Sequence, residues 1–486
     1  MSDWLLTADE RGNPHTGLDR RHPDGTAYTG GNEVRALVHG TEYFRDLYER
    51  IAKMTAGDMI FFTDWRGDPN QRMRGRGTEI STVLCEAADR GVIVKGLIWR
   101  SHWDRLAFSA AENEHLGDEI EAAGGECVRD MRVRPGGSHH QKMVVLRHPG
   151  RPGQDIAYVG GIDLCHSRRD NEHHQGDPQA QRIAAEYGPT PPWHDVQLAV
   201  TGPAVGDIEA GFRERWDDPA PLTRNPLHRL HDVIRREDTR PDPLPPQNPD
   251  PAPRDGHCVQ VLRTYPYRRS GYPFARYGER SIARAYQKAL RRARSLIYLE
   301  DQYLWSSEIA ELFAGALVEH PDLRLIAVVP MYATRPDWPA RRRAWAAAGP
   351  SRSCAGPGAT GWRSTASRTG PVRRSTCTPR RASSTTPGPA WVRTTSASGR
   401  GRTTPSCRWP SSTTARRTAS AGACACASTG STSNGTSTTT RICRSPPTSS
   451  PPTSRRRGGS TRGTGPAAPG RGPRDACAAT RNRTGG

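Results

Sequence analysis

The chain has 486 residues, enough for two or three domains with a sizeable core. Its formal charge of +20 resembles that of a nucleic-acid binder only until the charge is located: residues 351–486 hold 23 Arg, no Lys and one acid, Asp475, whereas the first 350 residues carry 47 basic and 49 acidic side chains. The basic character belongs to the tail, so no nucleic-acid partner is expected of the part that can fold.

The first residues, MSDWLLTADERGNPHTG, contain no apolar run long enough for a secretory signal, and no 18-residue apolar stretch follows anywhere. A soluble, cytoplasmic protein is expected. Thr41 is a candidate cap for a helix whose apolar residues Phe44, Leu47, Tyr48 and Ile51 recur at helical spacing. The apolar run 59–62 reads as a strand ending in Thr63 and Asp64. A second helix pattern, Ile80, Val83, Leu84 and Ala87, stops near Gly91, and residues 92–98 read as the next strand. Further strands are expected at 143–146, 156–159 and 196–200, and a helix at about 205–216. Helices alternating with buried strands imply a largely parallel or mixed sheet covered on both faces.

A Pro-, Asp- and Arg-rich stretch, residues 219–256, reads as an interdomain linker with room for one short helix at 227–235. The opening pattern then returns: a helix through Ile282, Ala285, Tyr286 and Leu290, a strand at 296–299, the polar run Glu300, Asp301, Gln302, a helix through Ile309, Leu312, Phe313 and Leu317, and a strand at 325–329. FFTDW and IYLEDQYLW occupy matching places, which suggests a duplicated α/β lobe. Residues 351–486 contain no Leu, Phe, Met, Tyr or His, so they are expected to be extended and without a core. Of the 11 Cys, the four before residue 351 (Cys85, Cys127, Cys165, Cys258) are scattered, which argues against a disulfide scaffold or a zinc ribbon.

The chemistry-bearing segment is GGSHHQKMVVL, residues 136–146. On a strand, His140 and Lys142 face the same way. An imidazole beside an ammonium suits a phosphodiester: the lysine holds anionic oxygens, and neutral imidazole attacks phosphorus or moves a proton. Alone, H-x-K is more often a histidine beside a surface lysine. Here it is followed by paired glycines at a strand end, Gly160 and Gly161 before Ile162 and Asp163, which allow close backbone approach to a ligand. PWHDVQLAVTGPAV and FRERW follow.

Together HHQKMVV, GGIDLC, PWHDVQLAVTGPAV, FRERW and IYLEDQYLW resemble the phospholipase D superfamily, most of all its phosphatidylcholine-type phospholipases, over about residues 30–330. The resemblance implies an α/β sandwich with two lobes, each giving one H-x-K-x-x-x-x-D motif to a shared site. One histidine forms a phosphohistidine and the other protonates the leaving alcohol, with no metal and no cofactor. Carried over, His140 is the nucleophile, Lys142 the phosphate clamp and Asp195 the acid that orients the catalytic imidazole. His139, Gly160, Gly161 and Asp163 are candidate substrate contacts. The implied domains are a first lobe at 30–218, the linker at 219–256, the start of a second lobe at 257–335 and a disordered tail at 351–486. The implied partner is a phospholipid, with peripheral membrane contact. Alternatives are a nuclease, a cardiolipin-synthase-like enzyme, or a catalytically dead chain.

Two departures stand out. The motif ends in Arg147 rather than Asp, and no second H-x-K exists, because the tail has neither His nor Lys. A tail of Arg, Ser, Thr, Ala, Gly and Pro is what a GC-rich gene gives in the wrong frame. Shifted by one base, the codons of Thr378 through Thr385 can read His-Ala-Lys-Ala-Gly-Ile-Val-Asp, a complete second motif. The first base of each shifted codon is a free choice among synonymous codons, while the second and third are fixed by the tail residue, except at Arg and Ser, where the reading takes one of two codon families (Arg380 as AGG). A frame shift between about residues 331 and 352 is therefore expected.

Seven histidines crowd residues 139–194 (His139, His140, His148, His166, His173, His174, His194), but their spacing fits no ligand pattern with supporting Cys or Glu. Trp65, Trp99 and Trp305, near strand ends, are candidates for an apolar groove or for core packing.

Overall fold

The computed structural model describes residues 3–102 and 110–330, apart from 182, 184, 255, 303 and 305, and the backbone of three further strands. All lie within the unit Met1–Pro446; the second unit, Pro447–Gly486, is outside the described residues. The elements are α1 (Ala8–Arg11), β1 (Thr29–Val38), α2 (Gly40–Ile51), β2 (Met59–Asp64), α3 (Ile80–Asp89), β3 (Ile93–Trp99), α4 (Ala110–Ala122), β4 (Glu126–Asp130), β5 (Met143–Arg147), β6 (Ile156–Gly160), β7 (Val196–Thr201), α5 (Ala204–Trp216) and α6 (Pro226–Arg235). Then follow β8 (His257–Tyr265), β9 (Glu279–Arg280), α7 (Ser281–Leu290), β10 (Leu296–Glu300), α8 (Ser307–Glu319), β11 (Arg324–Val329), β12 (Trp362–Ala366), β13 (Cys424–Ser428) and β14 (Ser437–Arg444).

The large sheet has the order β4-β3-β2-β5-β6-β7-β1-β8-β14-β13, with β9 on β8. Only β2, β3 and β4 run parallel; the remaining pairs are antiparallel. The chain is thus mixed α/β, as expected. Side-chain alternation divides its core. Ile60, Phe62, Val144, Leu146 and Tyr158 face α2, α3 and α4, where Phe44, Leu47, Leu84 and Leu116 pack. Phe61, Val145, Val159, Leu198 and Val200 face α5, where Ile208, Phe212 and Trp216 pack. β10, β11 and β12 form a separate parallel sheet, with its own core of Leu299, Phe313, Leu317 and Leu325.

Three features differ from the sequence-based expectations or add to them. Thr41 is not the cap of α2; His39 stands there with φ 71° and ψ 151°, and Thr41 gives its amide and hydroxyl to the Asp170 carbonyl. β8 opens the expected second lobe yet pairs with β1, so it extends the first lobe's sheet. The Pro-rich stretch is laid on the lobe: Arg21 holds Gln247 and Asp250, Gln247 donates to the Gly206 carbonyl, and Trp216 Nε1 donates to the Asp242 carbonyl. The expectation of an unpacked tail falls mostly outside the described residues. What is described there is β12 against β11 and the β13–β14 pair on β8, whose Thr-rich backbone suits a strand.

Candidate active site

β5 starts where β2 and β6 end, because it runs antiparallel to both, and β7 starts where β6 and β1 end. One sheet edge therefore collects the segments around Asp64, His140, Asp163, Asp195 and His39. His140 and Lys142 lie just before β5. The Lys142 ammonium donates to His140 Nε2 at 3.3 Å and pairs with Asp163 at 3.2 Å. Since an ammonium can only donate, Nε2 presents its lone pair. Trp65 meets the His140 ring edge-on at 5.5 Å and stacks on Trp99, which is buried; Trp305 lies outside the described residues.

Asp163 accepts from the Trp65 amide at 3.2 Å, and Arg168 stands 3.7 Å from its other oxygen. Burial opposes its ionisation, but Lys142, Arg168 and His140 outweigh burial and hold its carboxyl below the usual range. Asp64 is the reverse case: burial and the adjacent Asp163 push its carboxyl well up. The two carboxyls are thus pushed in opposite directions, Asp64 toward its neutral form and Asp163, beside the lysine, toward its ionised form.

Asp195 is fully buried, one residue before β7. Its carboxylate accepts from Val196 N at 2.9 Å and Trp193 Nε1 at 3.3 Å, so the expected bond to His140 is not among its contacts. Burial raises its pKa to about 6, against the pull of the Val196 amide and Arg168. Because the folded value lies above the usual carboxyl value of 3.8, the neutral carboxyl favours the fold at low pH, and that stability is lost as pH rises from about 4 through 6. Asp195→Asn is expected to gain on the order of 1–3 kcal/mol over the parent in urea unfolding at pH 8, with the gain vanishing near pH 4. A gain independent of pH would refute the assignment.

Gly160 and Gly161 lie where the chain packs too closely for a side chain. A Cβ on Gly160 would lie 2.5 Å from the Val196 carbonyl, and one on Gly161 would lie 2.2 Å from Asp195 Oδ1. His139 points into a different buried network, 3.3 Å from Asp130, which also binds Arg132 and Arg215. Arg147, at the motif's last position, is fully buried. It pairs with Asp155 at 2.8 Å and Glu209 at 2.9 Å and donates to the carbonyls of Asn248 and Pro249. Its place is structural, beneath the sheet edge.

Sequence reasoning missed Asp64, Arg168 and His39. Arg168 lies 3.7 Å over the Trp193 ring, a cation–π contact no spacing reveals. Glu300, the first residue of the polar run after the 296–299 strand, binds His194 Nε2 at 3.1 Å. That bond raises the His194 pKa, and it lowers that of Glu300 against the effect of burial. Burial and the neighbouring His194 and His174 lower His39 to about 4.

The family described as Phospholipase D matches residues 69–312. Among curated proteins, the chain is 28% identical over 329 residues to phospholipase D alpha 1 of Cynara cardunculus, covering 55% of this chain and 39% of that one. It is 27% identical over 341 residues to phospholipase D alpha 1 of Zea mays (56% and 40% covered) and 27% over 351 residues to that of Arabidopsis thaliana (59% and 42%). The chain spans about two fifths of the length of these relatives. Among solved structures, phosphatidylserine synthase of Haemophilus influenzae is similar at a TM-score of 0.40 and 13% identity, covering 65% of this chain and 66% of that one.

Proposed function

This chain belongs to the phospholipase D family, and we propose that its gene encodes a phospholipase D-type phosphodiesterase that hydrolyses or transfers a phospholipid head group through a phosphohistidine. The observation that carries this is Lys142 donating to His140 Nε2 while paired with Asp163. In the proposed step Nε2 bonds to phosphorus as the phosphorus–oxygen bond to the head-group alcohol breaks. The leaving oxygen takes a proton from a second imidazole, which then deprotonates the incoming water or alcohol. Lys142 and Arg168 are the cations that face the anionic oxygens. Asp195 is assigned to orient the His140 ring once substrate loosens its present bonds.

Within this reading, residues 30–218 are the first lobe, 219–256 the connection and 257–335 the start of the second. The second imidazole is encoded out of frame near codon 378, so the chain as written lacks one side of the reaction. The proposed location is the cytoplasm, with peripheral contact to the lipid surface; among the described residues no helix is long and apolar enough to cross a membrane. A nuclease is disfavoured by the near-neutral first 350 residues.

The DNA sequence across codons 330–410 tests the frame. The covalent step is tested by quenching the frame-restored protein during turnover of phosphate-labelled phosphatidylcholine. An acid-labile, alkali-stable label is expected on the peptide containing His140, and none in His140→Asn. Turnover without label would replace the covalent route by direct displacement.

A further inference from the structure

Beside the phosphodiester site, three histidines from distant parts of the chain meet: His39 at the end of β1, His174 in the 166–193 loop and His194 before β7. Each offers a ring nitrogen within 4.8 Å of the other two. Their ring centroids lie 5.0–5.6 Å apart. The backbone fixes this meeting. His39 N donates to the Asp195 carbonyl, Thr41 ties α2 to Asp170, and Asp170 accepts from the Trp193 and Gly176 amides.

The hydrogen-bonding pattern sorts the nitrogens. His194 Nε2 is held by Glu300, and His194 Nδ1 is buried with no partner. His174 Nδ1 faces Asp170 Oδ2 at 3.4 Å, leaving Nε2. His39 is 8% exposed, and its Nδ1 is buried with no partner. A buried nitrogen without a partner costs free energy that a bound ligand would recover, and here two of them belong to rings that meet. An imidazole whose far nitrogen rests on a carboxylate is the arrangement that orients a metal-binding histidine.

We propose that His39, His174 and His194 bind one divalent transition cation of the zinc class, with Asp170 and Glu300 orienting two of the rings. Three imidazoles leave a fourth position for water or an anionic oxygen. Tetrahedral ligand nitrogens stand about 3.4 Å apart, so the cation draws the rings together by rotation of their side chains. Because Glu300 ends β10, the cation ties the first lobe to the second sheet. Linear spacing hides the set: the ligands are separated by 135 and 20 residues.

The test uses the full chain as written, and its readout is independent of phospholipid turnover. After chelation and dialysis, Zn²⁺ is titrated and Co²⁺ is bound as a spectroscopic probe. One equivalent of Zn²⁺ is expected, and Co²⁺ should give the intense visible absorption of a tetrahedral nitrogen site. His174→Ala, at a half-exposed position that spares the fold, should weaken binding about 100-fold or more. Glu300→Gln, which keeps all three ligands, should weaken it about 10-fold. His22→Ala and His231→Ala, which alter the two other candidate clusters among the described residues, should bind like the parent. Absence of binding by the folded parent overturns the proposal. So does a stoichiometry and affinity unchanged in His174→Ala, or loss confined to His22→Ala or His231→Ala.

Discussion

Protein made from the sequence as written releases no choline from phosphatidylcholine in mixed micelles, and restoring the frame near residue 340 brings release at least ~10³-fold above it. The reason is stoichiometric. Displacement at phosphorus through a covalent histidine needs a nucleophile on one side and a proton donor on the other, and positioned acid catalysis alone is worth about 10²–10⁴. His140 and Lys142 supply one side only. In the restored protein, His140→Ala should return release to the background of the unrestored chain, because no other imidazole has Lys142 on its Nε2. Strong release by the chain as written would place the second histidine elsewhere, for instance on a second copy of the same chain. No release from any phospholipid by the restored protein would favour a different phosphodiester.

Arg147→Ala should destabilise the chain by about 3–5 kcal/mol, the usual cost of removing one partner from a buried charge pair. Asp155 would then face only His148, Glu209 would keep Arg213 alone, and the carbonyls of Asn248 and Pro249 would lose their donor. The sharper variant is Arg147→Asp, which restores the motif's usual acid. It sets a third carboxylate between two buried ones, so it should unfold at still lower urea than Arg147→Ala. The measurement is the urea midpoint by far-ultraviolet circular dichroism. A midpoint for Arg147→Asp equal to or above the parent would show that position 147 tolerates either sign, and that the surrounding acids are not held by Arg147.

The elements legible in the sequence are those whose burial is carried by apolar residues at regular spacing. β2 is a run of Met, Ile and Phe, α2 carries Phe44, Leu47 and Ile51 on one face, and β5, β6 and β7 are Val-, Leu- and Ile-rich. α4 was illegible because only Leu116 and Ile120 face inward among acids and amides, with a buried Asn113 bonding the carbonyls of Trp65 and Trp99. β8 was masked by polar residues that are buried but satisfied. Gln260 bonds Leu6 and Ala27, and Arg263 is enclosed by Glu214, Glu279 and Thr16.

The site follows the same rule. His140, Lys142 and Asp163 were readable because two short motifs carry them. Asp64 looked like an ordinary strand end, and only the fold sets its carboxyl against Asp163. His39 joins the site through a backbone bond to Asp195 across 156 residues, which no local pattern encodes.

The buried pairs around β8 and α7 also fix an order of events during synthesis. Leu6 bonds Gln260, Arg11 bonds the Val261 carbonyl and Glu279, Asn13 bonds Glu279, and Lys288 bonds the Leu5 carbonyl. The amino-terminal segment therefore waits for partners more than 240 residues away, and its docking cannot precede their emergence from the ribosome. Contacts of such separation are slow to form and expose apolar surface meanwhile. Yet every one of these partners has been translated by residue 288, upstream of the 331–352 window in which the reading frame is proposed to change. A change of frame in that window therefore leaves every partner of the amino-terminal segment intact upstream of it.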